Sequence, residues 1–250
     1  MSQHNQTSTR RDFLRRAALA AAAAQPLFAR SLLAAEPAVG APKGVKIVVL
    51  TGGHGYDEPN FQKLFQSLEG IQATIQPMDK FAAAPVDVRD GYDVVLHYHM
   101  LRATPKDKEK EAMEHLGSTK QGIVVLHHAL LAYPQWPVWT DIMGIANRKF
   151  GYHVGQKLHV KVAATPHPII RGLESWDMTD ETYTMDDAGQ GNEVLLTTDH
   201  PKSMKTIGWT RQHKQSRVFC FESGHDNQAW ANPSFREVLR RGLLWCAREI

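Results

Sequence analysis

Two hydrophobic rhythms alternate along the chain. Val45 to Leu50 is a nearly unbroken β-branched run, the pattern of a strand buried on both faces. Thr51-Gly52-Gly53-His54-Gly55 breaks it. Phe61, Leu64, Phe65 and Leu68 then fall at helical spacing within Glu58 to Leu68, with Asp57-Glu58 as the N-cap region. Short strands follow at Ile71 to Gln76, at Tyr92 to Leu96 (ending in His97-Tyr98-His99), and at Gly122 to Leu126 (ending in His127-His128). Between the last two, Thr104 as N-cap, Pro105 and Asp107 predict a helix running to about Leu116 and stopped by Gly117.

The second half is richer in strand signals. Lys157–Val162, Glu181–Met185, Val194–Thr197, Thr206–Trp209 and Val218–Phe221 all read as β. Asn232 as N-cap, Pro233 at N1 and a stripe of Phe235, Val238, Leu239, Leu243 and Cys246 predict a closing helix. Alternating strands and helices imply an α/β domain, a mostly parallel sheet covered on both faces, with β-rich additions in the C-terminal half. No second boundary interrupts residues 45–250.

The N-terminus stands apart. Thr9-Arg10-Arg11-Asp12-Phe13-Leu14-Arg15 has the form of a twin-arginine export signal, followed by the alanine-rich run Ala17–Ala24 and small residues up to Ala35. Residues 1–35 are therefore expected to be a signal peptide, 36–44 a Pro/Gly/Ala-rich tether, and the location periplasmic or secreted. The signal contributes +4 of the chain's formal +3, leaving the other 215 residues near −1. Nothing in that charge balance favours nucleic acid or, once the signal is removed, a membrane surface. Two cysteines, Cys220 and Cys246, cannot staple a chain of 250 residues. Their apolar settings suggest buried thiols, with a disulfide as the alternative.

Candidate chemistry lies in the placement of the histidines. Of 13, twelve follow the signal, and His54, His97, His99, His127, His128 and His225 all sit at or just beyond the ends of predicted strands. In a parallel sheet, ligands bind outside those ends. His115, His159 and His213 read as ordinary surface residues. Neighbours in sequence tend to point apart, so one of His127 and His128 is expected to face the crevice and the other to pack beneath it. Imidazoles suit proton transfer near neutrality and transition-metal ligation. Acidic groups at Asp180-Glu181, Glu222 and Asp226 are available to complete such a site. Tyr56, Tyr98, Tyr133, Trp136, Trp139 and Trp230 fall in the same loops, and flat aromatic faces beside polar donors suit sugar rings. Trp136 and Trp139 read equally well as helix core.

From Gly122-Ile-Val-Val-Leu-His-His-Ala129 onward the chain resembles the ThuA-like (trehalose-utilisation) family. Tyr133-Pro134-x-Trp136, Thr165-Pro-His-Pro-Ile-Ile-Arg-Gly172, Asp180-Glu-Thr-Tyr183, Gly224-His-Asp226, Asn232-Pro233-x-Phe235 and Arg241-Gly-Leu-Leu-Trp245 follow in order. The resemblance spans roughly residues 45–248. It implies a flavodoxin-like three-layer fold close to class I glutamine amidotransferases. In those enzymes a cysteine occupies a sharp turn after a central strand. The matching turn here is Leu126-His127-His128-Ala129, which excludes a thiolate nucleophile and amidotransferase chemistry with it. The family's association is with disaccharides, especially 3-keto-glycosides, and with sugar oxidoreductases as companions.

The resulting expectation is a periplasmic protein that cleaves or converts glycosides or 3-keto-glycosides by acid/base chemistry. His128 and Glu181 are assigned to proton transfer. A divalent metal (zinc, manganese or iron) is expected on His54, His128 and His225. Tyr56, Tyr133, Trp136, Asp226 and Trp230 are assigned to the sugar. The alternative is a non-catalytic carbohydrate-binding protein serving an oxidoreductase. A flavin-binding redox partner is a weaker third reading. No nucleotide is expected, because Thr51-Gly52-Gly53 alone does not make a G-x-G-x-x-G loop.

Overall fold

The β-branched run at Val45 becomes the second strand of a nine-stranded sheet. The structure, a computed structural model, describes residues 44–250; the expected signal peptide and nearly all of the tether lie outside the described residues. In chain order the strands are β1 (Val45–Thr51), β2 (Ile71–Pro77), β3 (Val94–His97), β4 (Gly122–Leu126), β5 (Gly151–Val162), β6 (Trp176–Thr184), β7 (Glu193–Thr197), β8 (Thr206–His213) and β9 (Ser216–Phe221). The helices are α1 (Glu58–Gln66), α2 (Met78–Ala83), α3 (Val86–Arg89), α4 (Asp107–His115), α5 (Pro137–Met143), α6 (Asn227–Ala231) and α7 (Pro233–Cys246). The sheet order is β2-β1-β3-β4-β9-β8-β7-β5-β6. The first five strands in that order are parallel, and β8, β7, β5 and β6 continue antiparallel. The expected flavodoxin-like three-layer arrangement, with its C-terminal β additions, is what the chain adopts.

Alternation along the buried strands splits the core in two. Ile47, Val49, Leu96, Val124 and Phe219 pack on one face with Phe61 and Phe65 of α1 and Phe235, Val238 and Leu239 of α7. Val48, Leu50, Val95, Val125 and Cys220 pack on the other with Phe81, Met113 and Trp139. Cys220 and Cys246 are free, buried and on opposite faces of the sheet, so they cannot bond to each other. Asp57 caps α1 through the Asn60 amide, and Asn232 caps α7 through the Phe235 amide, as their positions predict.

Three readings need correction. Helix α4 begins at Asp107, with Lys106 before it and no side-chain cap, rather than at Thr104-Pro105; Asp107 has φ +47°, which interrupts a right-handed helix. β6 begins at Trp176 rather than at Glu181, so Asp180 and Glu181 lie inside the strand, where both are buried. His213 is also buried, its ring lying over Gly117.

Helix α7 approaches β9 so closely that a Cβ on Gly242 would lie 2.3 Å from the ring of Phe219. That ring is fully buried. Gly242→Ala should therefore destabilise the fold by about 1–3 kcal/mol, despite alanine's better helix propensity. A shift of the urea midpoint to lower concentration checks this.

Candidate functional site

Because β1, β3, β4 and β9 are parallel, their carboxyl ends open on one rim. The loop after β1 carries His54 and presses Gly53 (φ +72°) so close to the β3 exit that a Cβ there would meet the Met100 carbonyl at 2.7 Å. Residues 127–131 form a 3-10 turn directly after β4, with His127 at φ +51°. A non-glycine residue held in that region costs about 1 kcal/mol or more, and such strain is found where surrounding structure enforces a particular side-chain aim.

The turn sends His127 and His128 to different neighbours. His127 is fully buried, with Nδ1 2.7 Å from the Glu222 carbonyl. A carbonyl only accepts, so Nδ1 carries the hydrogen and the neutral ring presents its Nε2 lone pair. The Tyr183 hydroxyl lies 2.8 Å from that nitrogen, His225 Nδ1 3.2 Å and Glu181 Oε1 3.5 Å. His225 Nδ1 and Glu181 Oε1 are 3.6 Å apart. His128 instead sets Nε2 2.9 Å from the Tyr98 carbonyl and stacks against His54, with ring centroids 4.5 Å apart. His54 is exposed at the mouth, its ring 6.0 Å from that of His225.

Asp180 ties these pieces together. Its buried carboxylate accepts from the amides of Gly224 and His225 at 2.7 and 3.0 Å and from that of Glu181 at 2.8 Å. The Tyr183 amide donates to Glu222 Oε1 at 2.8 Å. β6 is thereby fastened to the loop after β9, which brings Glu181 and His225 to the same spot.

Burial and crowding set the electrostatics. Burial opposes charge on His127, but Glu181, Asp180 and Glu222 outweigh it and raise its pKa. Burial would raise the Glu181 pKa, yet His127 and His225 lower it overall. Burial raises Asp180 to about 6, against its three amide donors and His127. Burial and the Asp180 charge push Glu222 up to about 8. His128 is driven down to about 2, by burial first and then by the imidazoles of His127 and His54. His225 is lowered by burial and by His127.

The donor atoms of His127, Glu181 and His225 all lie within 4.8 Å of one another, the one such group among the described residues. A zinc-sized cation bonded at about 2.0–2.1 Å to three tetrahedral corners holds them about 3.3–3.4 Å apart. The observed edges of 3.2, 3.5 and 3.6 Å bracket that spacing. Two imidazoles and one carboxylate also form the donor set of open iron sites. Of the three expected metal ligands, His225 is in this group, while His54 and His128 stand beside it. His127 and Glu181 complete it.

The expected sugar contacts are placed unevenly. Tyr56 is half-buried against Phe61 and Tyr98. It lines a groove of about 520 Å³ with Thr51, Gln62, Phe65 and Ile75 beside the edge strand β2, away from the histidine cluster. Tyr133 and Trp136 are buried in the core, with the Tyr133 hydroxyl bonded to Glu109 of α4. Trp230 is buried too, its indole donating to the Gly224 carbonyl at 2.8 Å. These three support the rim from beneath instead of lining the crevice: Tyr133 is held by the Glu109 carboxylate, Trp230 by the Gly224 carbonyl, and Trp136 by core packing. Asp226 caps α6 by accepting from the Gln228 amide at 2.8 Å.

The profile of the family described as "ThuA: Trehalose utilisation" matches residues 46–246. The chain belongs to the ThuA family. That description relates this ThuA protein to carbohydrate. No curated protein matches it. Among solved structures, a ThuA-like protein from Parabacteroides merdae is similar at 18% identity and TM-score 0.68, over 83% of this chain and 91% of that one. A ThuA-like protein from Bacteroides uniformis is similar at 19% identity and TM-score 0.64, over 84% and 95%. PurLQS from Thermotoga maritima matches at 9% identity and TM-score 0.54, over 81% and 99%. These likenesses concern the fold alone, a mixed α/β sheet with helices of the flavodoxin-like kind.

Proposed function

We propose that this ThuA protein is an exported enzyme, carried to the periplasm by residues 1–35, that cleaves 3-keto-glycosides by metal-assisted proton transfer. One observation carries the reading: two imidazoles from beyond the ends of β4 and β9 and a carboxylate from within β6 converge at cation-binding distances on the ligand-binding rim of the sheet. The family's tie to trehalose utilisation supports a carbohydrate substrate. The keto group would come from a sugar oxidoreductase.

His127, Glu181 and His225 would hold the cation. When bound, it supplies Lewis-acid polarisation of the keto oxygen, which acidifies the neighbouring C–H. His54, exposed and beside His225, takes that proton. The glycosidic C–O bond breaks as the C=C bond forms, and the departing oxygen receives a proton from His54. Water adds later to the unsaturated sugar. His128, with one nitrogen committed to the Tyr98 carbonyl and its basicity suppressed, orients His54 by stacking rather than moving protons itself. Glu181 serves as a ligand rather than as the free base.

The test uses purified full-length protein with 3-keto-trehalose, before and after chelation and after zinc is restored. Glucose release that chelator stops and zinc restores is expected. No release by the zinc-loaded protein, with the sugar still bound, would favour a non-catalytic carbohydrate-binding role.

A further inference from the structure

We propose that Phe150 and Tyr152, with Arg102, form a second saccharide subsite continuous with the histidine crevice; this rests on the carbohydrate reading above. Tyr152 of β5 pairs directly with Tyr183 of β6. Directly opposed residues of an antiparallel pair share a face, their Cβ atoms about 5 Å apart. The Tyr183 ring stacks on His127, with centroids 5.0 Å apart and planes at 27°. Phe150 stands two residues before Tyr152, hence on the same face, and its ring meets that of Tyr183 edge-on at 5.8 Å. The wall that begins at His127 and Tyr183 therefore continues outward through Phe150 and Tyr152.

Along that wall, burial gives way to exposure. Tyr183 is 1% exposed, whereas Tyr152 is 65% exposed, the highest value of any large hydrophobic residue among those described. Later in the same strand, Leu158 and Val160 are core residues. The change follows an irregularity in pairing between His153 and Gln156, with Gly155 at φ +65°. Bulges of this kind re-aim side chains and are frequent beside active sites. The Arg102 guanidinium lies over Phe150 at 5.4 Å and donates to the Leu131 carbonyl at 2.6 Å. Its remaining N–H groups have no protein acceptor among the described residues. An exposed ring face beside free donors matches a pyranose, which has an apolar C–H face and hydroxyl edges. One cross-strand step is also about the length of one sugar ring. A protein partner fits less well: the apolar part is Tyr152 and Val154 alone, flanked by His153, Gln156 and Lys157, far below the roughly 800 Å² per side of a stable interface.

The subsite predicts a preference for disaccharide over monosaccharide. Calorimetric titration of the full chain with trehalose and with glucose tests it. Wild type should bind trehalose more tightly, Tyr152→Ala should weaken trehalose about tenfold while changing glucose less than twofold, and Tyr152→Phe should restore the difference. Equal binding of both sugars by wild type, or trehalose affinity unchanged in Tyr152→Ala, overturns the subsite but leaves the crevice reading standing. Binding of neither sugar overturns both. A wild-type dimer that becomes a monomer in Tyr152→Ala would assign this face to self-association and also overturn the subsite.

Discussion

Replacing His127 should remove bound metal and turnover together, whereas replacing His54 should remove turnover alone. His127 Nε2 is the apex shared by the 3.2 and 3.5 Å edges of the donor triangle, and its Nδ1 is anchored on the Glu222 carbonyl. A fully oriented imidazole at that position cannot be replaced by its neighbour, because His128 Nε2 faces the Tyr98 carbonyl. His127→Gln should therefore lower zinc stoichiometry from about one toward zero and reduce turnover of a 3-keto-disaccharide by about 10³-fold or more. His54→Ala leaves the triangle intact. It should retain the metal and lose about 10²–10⁴-fold in turnover, the range for removing a positioned acid/base group. Elemental analysis and single-turnover kinetics on the same preparations separate the two. Full metal retention in His127→Gln would defeat the ligand assignment, and near-normal turnover in His54→Ala would defeat the base. His225→Ala, at a rim position with a partly exposed side chain, provides a ligand variant with less risk to folding.

The parts of this molecule that were legible in its sequence are those decided locally. The Val45–Leu50 run and the stripe Phe235, Val238, Leu239, Leu243, Cys246 state their burial through period alone, and both elements are found within a residue or so of the expected bounds. That histidines gather at one rim also follows from counting strand ends. Which imidazole of the His127-His128 pair enters the cluster does not, since it depends on a backbone angle of +51° that no neighbouring residue type announces. Asp180 reads as a polar strand entry because a carboxylate is usually solvated; its burial is repaid by three amide donors, two of them more than 40 residues away. Beyond its place in a strand and in the family-like Asp180-Glu-Thr-Tyr183 run, Tyr183 carries no signal of its ring's contact with His127. Tyr133, Trp136 and Trp230 mislead for the opposite reason: an aromatic in a loop near a site serves equally as wall or as foundation, and only tertiary packing distinguishes the two.

Acid should unfold this protein steeply, through buried histidines outside the His127–Glu181–His225 group. His97 and His99 are completely buried after β3, with Nδ1 of the first 3.0 Å from Nε2 of the second, packed on Trp139 and Tyr133. Burial, aided by the neighbouring ring, holds His97 well below its ordinary pKa; burial alone takes His99 to about 3 and, with its neighbours, His128 to about 2. All three folded values are depressed, so the unfolded chain binds protons from about pH 6.5 downward that the folded chain refuses, and stability is lost as pH falls. Two buried carboxyls, and His127 with its raised pKa, act in the other direction. Glu222 and Asp180, raised to about 8 and about 6, keep protons in the folded state that an unfolded carboxylate has released, so their contribution declines as pH rises. Stability should therefore peak near pH 6–7 and fall gently toward pH 8. Between pH 5 and 4 the histidines dominate, with a net uptake of about two protons on unfolding, or about 3 kcal/mol per pH unit. Urea unfolding of the chelator-treated protein across pH 4–8 measures that slope. A dependence of less than one proton between pH 5 and 4 would mean that these rings are charged or wetted in the folded state. A His97→Gln, His99→Gln double variant should flatten the acid limb while leaving the decline toward pH 8 in place, because that decline belongs to Glu222 and His127.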